Sequence, residues 1–159
     1  YGVIKISIEK VKSYFKVFGV EDRIIEFDTS SATVELTAAA LNCEPERIAK
    51  SLFFILKEKA IIIVTAGDVK IDNKKFKRIF GSKAKMIEKD RVEELIGHKV
   101  GGVCPFAIKD DVDVYLDESL KRFVTVFSAC GSSNSAIELS IEELEKCSNY
   151  KAWLDICKN

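Results

Sequence analysis

The sequence predicts an α+β fold with a mixed or antiparallel sheet. Apolar runs of strand length and amphipathic stretches of helical period are interspersed, without the strict β-α alternation of a doubly wound parallel sheet. "SLFFILKEKAIIIVTAGD" (51–68) holds two apolar runs about a polar "KEKA", a β-hairpin signal. No linker, repeat or low-complexity stretch divides the 159 residues, and 47% are hydrophobic, enough for one core over 1–159.

Ile8, Val11, Phe15 and Phe18 share one face at helical spacing and Gly19 follows as a stop, predicting a helix over 7–18. "RIIEF" (23–27) reads as a short strand. "TVELTAAALN" (33–42) reads as helix, with Val34, Leu36, Ala39 and Ala40 apolar, and Pro45 opens a short helical turn, "PERIAK" (45–50). After the hairpin, "DNKKFKRIFG" (72–81) is a basic amphipathic helix closed by Gly81. "DRVEELIG" (90–97) predicts a capping box of Asp90 and Glu93 with Gly97 as the stop. "VDVYLD" (112–117) and "FVTVF" (123–127) alternate as strands do, and "AIEL" (136–139) is a last short strand. "SIEELEKC" (140–147) repeats the capping box at Ser140 and Glu143, and the tail "NYKAWLDIC" (149–157) is expected to be a docked helix with Trp153 and Ile156 facing inward.

Composition removes several function classes. With 25 basic and 25 acidic side chains, the formal net charge is zero, which argues against gripping a long stretch of nucleic acid but allows a small footprint on one end of an RNA. The five cysteines are odd in number and form no C-x-x-C pair, so neither a disulfide framework nor a zinc ribbon is expected; free thiols suit a reducing cytoplasm. No apolar run nears the ~20 residues that span a bilayer. No secretory signal is read at the start, and Tyr1 and Gly2 carry little weight. The single histidine, His98, lies beside a glycine and reads as structural or solvent-facing. There is no G-x-S-x-G elbow, no phosphate-binding G-x-x-x-x-G-K-[ST] loop and no metal-ligand spacing. Cys104 has no nearby partner in sequence that would make a redox motif.

What remains is a site without metal, triad or cofactor. "VGGVCPFAI" (100–108) interrupts an apolar run with Gly101, Gly102 and Pro105. The glycines permit positive φ and close approach, and the proline stiffens the backbone. Such a loop is a tight turn between strands, or it aims neighbouring N–H groups at a carbonyl oxygen that becomes an oxyanion. In "RIAKSLFFIL" (47–56), Lys50 precedes an apolar strand. Periodicity alone favours a snorkelling lysine; a cation there could also reach over the sheet edge to a phosphate or carbonyl.

"RIAKSLFF", "GHKVGGVCPFAI", "DVDVYLDESL" and "SACGSSNSAIELSIEEL" occur in one order and at one spacing. Together they resemble the YbaK/ProX family, freestanding relatives of the editing domain inserted in bacterial prolyl-tRNA synthetases, over about residues 7–144. The resemblance implies a mixed, barrel-like sheet wrapped by helices. It implies hydrolysis of mischarged aminoacyl-tRNA, typically tRNA for proline carrying alanine or cysteine, without cofactor or metal. It carries a functional lysine onto Lys50 and a G-x-x-x-P loop onto Gly101 and Pro105 as the catalytic set, with Gly102, Val103, Cys104 and Gly131 as substrate-binding candidates. The implied partners are the acceptor end of an aminoacyl-tRNA and a prolyl-tRNA synthetase. Family members are thought to use the terminal adenosine's own 2′-hydroxyl, which fits the absence of a nucleophile–base pair. Two positions depart from the pattern: Cys104 stands where many relatives have serine or threonine, and Ala129, not Ser128, stands where some have serine.

Lys70, Lys74, Lys75, Lys77, Arg78, Lys83 and Lys85 crowd a segment with one acid, Asp72. This is a solvated helix face, or a landing strip for acceptor-stem phosphates with Lys74, Lys75, Lys77 and Arg78 as contacts. The competing readings are a non-catalytic module of the same fold, which would tolerate loss of Lys50, and a small-molecule esterase, which the missing nucleophile–base pair disfavours.

Overall fold

The computed structural model of the protein describes residues 2–28 and 33–159. The chain runs α1 (Gly2–Lys16), β1 (Ile25–Glu26), α2 (Val34–Leu41), β2 (Ile48–Leu56), β3 (Lys59–Ala66), α3 (Asn73–Phe80) and α4 (Val92–Ile96). It continues with β4 (Asp113–Asp117), β5 (Thr125–Ala129), β6 (Ser135–Ser140), α5 (Ile141–Ser148) and β7 (Ala152–Leu154). The strands form one mixed sheet in the order β1-β6-β5-β2-β3-β4-β7. The fold is α+β as expected. The sheet is open, not barrel-closed: β1 and β7 are its two edges.

The centre of the sheet is the predicted hairpin. Lys57 and Glu58 both take positive φ, the geometry of a two-residue type I′ turn. Eight pairs from Ala49↔Ala66 to Leu56↔Lys59 follow from that turn. Residues 60–66 of β3 are buried throughout, which is why 60–64 read as an unbroken apolar run. One sheet face packs Ile62 and Val64 with Val11 and Phe15 of α1 and with Phe106, while the other packs Phe54, Ile61 and Ile63 against Phe76 of α3 and Ile156. The Tyr14 hydroxyl donates to the Cys147 carbonyl, tying α1 to α5.

Local capping signals mostly behave as read. Asp72 accepts from the Lys74 and Lys75 N–H groups at 2.9 and 3.1 Å, and Gly81 closes α3 at φ +78°. Ser140 and Glu143 form the expected capping box on α5. The Asp90 box does not form. Residues Lys89–Arg91 make a 3-10 turn that runs straight into α4, so Arg91 takes the cap position, with no side-chain cap bond; Gly97 still ends the helix, at φ +107°.

The tail is not a helix. Asn149 ends α5 at φ +49°, and Ala152–Leu154 pairs in parallel with β4 as strand β7. The open edge of β4 offers ladder bonds that outweigh local helical preference. Trp153 leans on the α1 face, its indole N–H donating to Glu145 at 2.8 Å, and Ile156 is buried as expected. Asp117, 2% exposed, holds this tail: one carboxylate oxygen accepts the Ser119 N–H at 2.9 Å and the other the Ile156 N–H at 3.0 Å. Asp117→Ala orphans a buried N–H, so the expected loss is about 2 kcal/mol of unfolding free energy, read as a lower urea midpoint.

Candidate functional site

The site forms where one ladder stops. On one side β2 pairs with β3 along its whole length. On the other it pairs with β5 only at Ile48↔Phe127 and Ala49↔Ser128. The neighbour resumes later: Ile55 donates to the Lys85 carbonyl at 2.9 Å, and the Phe53 carbonyl accepts from Ile87 at 3.3 Å. Residues 50–52 therefore face a gap at the carboxyl end of β5. Diverging neighbours at that end of parallel strands commonly make a ligand crevice. Here the gap opens a cavity of about 240 Å³. Its walls are Lys50, Ser51 and Phe53 of β2, Thr33, Val34 and Thr37 at α2, Val100, Gly101 and Val103, and Ala129 with Ser132, Ser133 and Ser135.

The glycine–proline loop supplies one wall. Gly101 is exposed at φ +96° and lines the cavity with Val103. Gly102 turns away: its N–H is used by the Lys99 carbonyl at 3.0 Å. A Cβ there would sit 2.5 Å from the carbonyl carbon and oxygen of Gly131, so the two loops cross in backbone contact at these glycines. Among the described residues no backbone group takes the N–H of Gly101 or Val103. Cys104 is fully buried, and Pro105 faces a second, smaller cavity of about 140 Å³ beside Tyr14. Of the residues singled out in the sequence, Lys50, Gly101 and Val103 thus share the cavity; Gly102 and Gly131 lock together beside it, Cys104 is buried, and Pro105 opens on the other cavity instead.

Strand alternation sends the side chains of Lys50 and Ser51 to opposite faces of β2. Lys50 lies inside the strand, not at its mouth. It is half-buried and donates to the Val69 carbonyl. Burial holds its ammonium below the ordinary lysine value, with Cys157 and Asp68 pulling partly back. Among the described residues it has no carboxylate ion pair. Ser51 escaped the sequence reading: its Oγ is buried with no hydrogen-bond partner among the described residues. A lone serine between Lys50 and an apolar run in "RIAKSLFFIL" was the available signal.

The histidine and thiol chemistry is closed off. Cys104 Sγ lies 3.5 Å from His98 Nε2, which sits 2.7 Å from the Phe106 carbonyl oxygen. Burial pushes the Cys104 thiol up to about 12 and His98 down to about 4, the latter opposed by the Phe106 carbonyl. The pair is neutral and sealed, the reverse of a thiolate–imidazolium dyad. Ser128 is buried, donates to the Ala129 carbonyl at 3.1 Å and lies off the cavity wall; Ala129 is on it. Among the described residues the five cysteines are free thiols, no cluster of His, Cys, Asp and Glu could hold a metal, and no helix is long and apolar enough to cross a membrane.

The open mixed sheet thus holds a cavity lined by a glycine loop and a half-buried lysine, with no reactive thiol or imidazole facing it. Residues 28–147 match the family described as the aminoacyl-tRNA editing domain, and the chain belongs to that family. It is 51% identical to the uncharacterized protein YwhH of Bacillus subtilis (strain 168) over 97% of this chain and 99% of that protein. It is 28% identical to a proline–tRNA ligase of Bacillus cereus over 64% of this chain, and spans only 18% of the ligase. A crystal structure described provisionally as a trans-editing enzyme for prolyl tRNA synthetase superposes with a TM-score of 0.86 at 25% identity, covering 96% of this chain and 98% of that one.

The buried imidazole has a stability signature. Unfolded, His98 takes a proton below pH about 6.5; folded, it resists until about 4. The unfolded state binds more protons in that window, so the contribution is complete above about 6.5 and is lost as pH falls toward 4. The expected total is about 3 kcal/mol, and His98→Gln flattens that part of the slope when urea midpoints are followed down this range.

Proposed function

We propose that the protein is a trans-editing hydrolase that deacylates mischarged aminoacyl-tRNA, with alanyl or cysteinyl tRNA for proline as substrate, acting in the cytoplasm. The observation that carries this is one cavity lined by Lys50, Ser51, Gly101 and Val103, from which the Cys104–His98 pair is excluded. Membership of the editing-domain family and the likeness to a proline–tRNA ligase support the substrate class.

The chemistry follows from what the walls offer. Lys50 keeps two N–H donors beyond its bond to Val69 and anchors the terminal phosphate or ribose. The ester carbonyl sits against the N–H groups of Gly101 and Val103, donors that strengthen as negative charge develops on oxygen. Water adds to the carbonyl carbon, assisted by the 2′-hydroxyl of the substrate's own terminal adenosine. The carbon–oxygen bond to the ribose then breaks, the ribose oxygen takes a proton, and a free amino acid leaves. Holding ester, hydroxyl and water together supplies on the order of 7 kcal/mol of the barrier reduction. Phe53, Val103 and Ala129 are apolar walls for the amino-acid side chain. Such walls distinguish one methylene by only about 1–3 kcal/mol, so proline is rejected by shape while small residues are poorly separated. A prolyl-tRNA synthetase is the partner that would hand over the substrate.

The test charges tRNA for proline separately with alanine, cysteine and proline and follows amino-acid release. Release of alanine or cysteine with proline retained is expected; no release from any of the three overturns the enzyme reading. Lys50→Met is expected to lower kcat/KM by on the order of a hundredfold, and unchanged turnover would remove Lys50 from the mechanism. Ser51→Ala removes a buried hydroxyl that lacks a partner, so stability rises by about 1 kcal/mol, read as a higher urea midpoint.

A further inference from the structure

We propose that the outward face of α3, with Lys70, Lys83 and Lys85, is the surface that takes the backbone phosphates of the RNA whose charged end enters the cavity; this rests on the reading just given. Residues 70–85 hold seven cations and one acid in a chain whose formal net charge is zero, so positive charge is segregated here. The acid is spent, since Asp72 caps the helix through the Lys74 and Lys75 N–H groups. Six cations, all but Lys75, are exposed and carry no ion pair among the described residues.

Lys75 does not belong to this surface, contrary to the sequence expectation. Its ammonium is tied to Asp155 at 2.9 Å and to the Cys157 carbonyl at 2.8 Å, as a strut holding the tail. The opposite side of α3 is clamped: Phe76 packs on Phe54 and on Phe80, and Phe80 meets Tyr115 at 5.2 Å edge-on. That anchoring fixes Lys74, Lys77 and Arg78 outward at i, i+3 and i+4. Lys74, Lys77 and Lys83 line a groove of about 400 Å³ between the helix and the following loop, with no acid on its walls.

The patch begins at Lys70, next in the chain to the carbonyl that holds Lys50. The Lys50 ammonium bonds the Val69 carbonyl, and the residues from there to α3 are pinned to the tail by Asp72 N–H to Ile156 at 2.9 Å and by Lys158 N–H to the Lys70 carbonyl at 2.8 Å. A run of unpaired cations leading off from the cavity's own cation matches a polyanion that extends from the bound end. RNA backbone has that form; an acidic protein segment or an anionic membrane has no reason to start at this cavity.

The test is the triple variant Lys74→Gln, Lys77→Gln, Lys83→Gln, compared with the unaltered protein on full-length charged tRNA and on an aminoacylated terminal trinucleotide, across a range of salt. Expected is a rise of about tenfold or more in KM for tRNA relative to the trinucleotide at low salt. The slope of log affinity against log salt is expected to fall by about 2, since each phosphate contact contributes about 0.7–0.9. An unchanged KM ratio and slope would overturn the patch. If the unaltered protein hydrolyses neither substrate, the catalytic reading fails, and affinity for uncharged tRNA still decides the surface: equal binding by both proteins rejects it. Loss of binding to anionic vesicles with tRNA affinity intact would assign the surface to a membrane and reject it as well.

Discussion

Strand β2 is left half-paired. For two residues it lies against β5, and from Phe53 onward the 85–87 segment takes over. Because the Phe53 carbonyl and the Ile55 N–H both point to that side, the two-residue period of the strand points the main-chain groups of Ser51 into the unfilled interval as well. A backbone polar group without a ladder partner must meet water or a ligand. The cavity, the orphaned Ser51 hydroxyl and the access of Lys50 to the crevice all descend from this interruption.

The interruption holds its shape because the loops around it are locked. Gly102 and Gly131 cross at a distance no side chain tolerates, which sets the Gly101–Val103 wall against the residues that follow β5. Behind that wall the neutral Cys104–His98 pair and Phe106 fill space and satisfy one another. The residues with the most reactive elements are therefore structural, and the proposed chemistry falls to dipoles, one ammonium and the substrate. Leaving Ser51 without a partner and Lys50 partly desolvated costs folding energy, and such costs are retained where a ligand is to be held.

Much of the fold was legible because its signals are local. The two apolar runs about Lys57 and Glu58, the Asp72-to-Gly81 helix and the Ser140 capping box each encode their geometry within a few residues, and each formed as read. Lys50 and Gly101 could be singled out only through four motifs standing in register with a known family; periodicity favoured a snorkelling lysine and a plain turn.

Tertiary structure decided what depends on distant partners. The tail became β7 because β4 offered an open edge thirty-odd residues away in the chain. Lys75 left the basic face because Asp155 and the Cys157 carbonyl lay within reach, and His98 met Cys104 because the loop between them folds back on itself. Ser51 is an ordinary serine in sequence, and only the divergence of two parallel strands leaves its hydroxyl alone beside a cavity. Capping, turn chemistry and hydrophobic period act over a few residues and are written in the chain. Which polar group goes unpaired is a property of the assembled sheet.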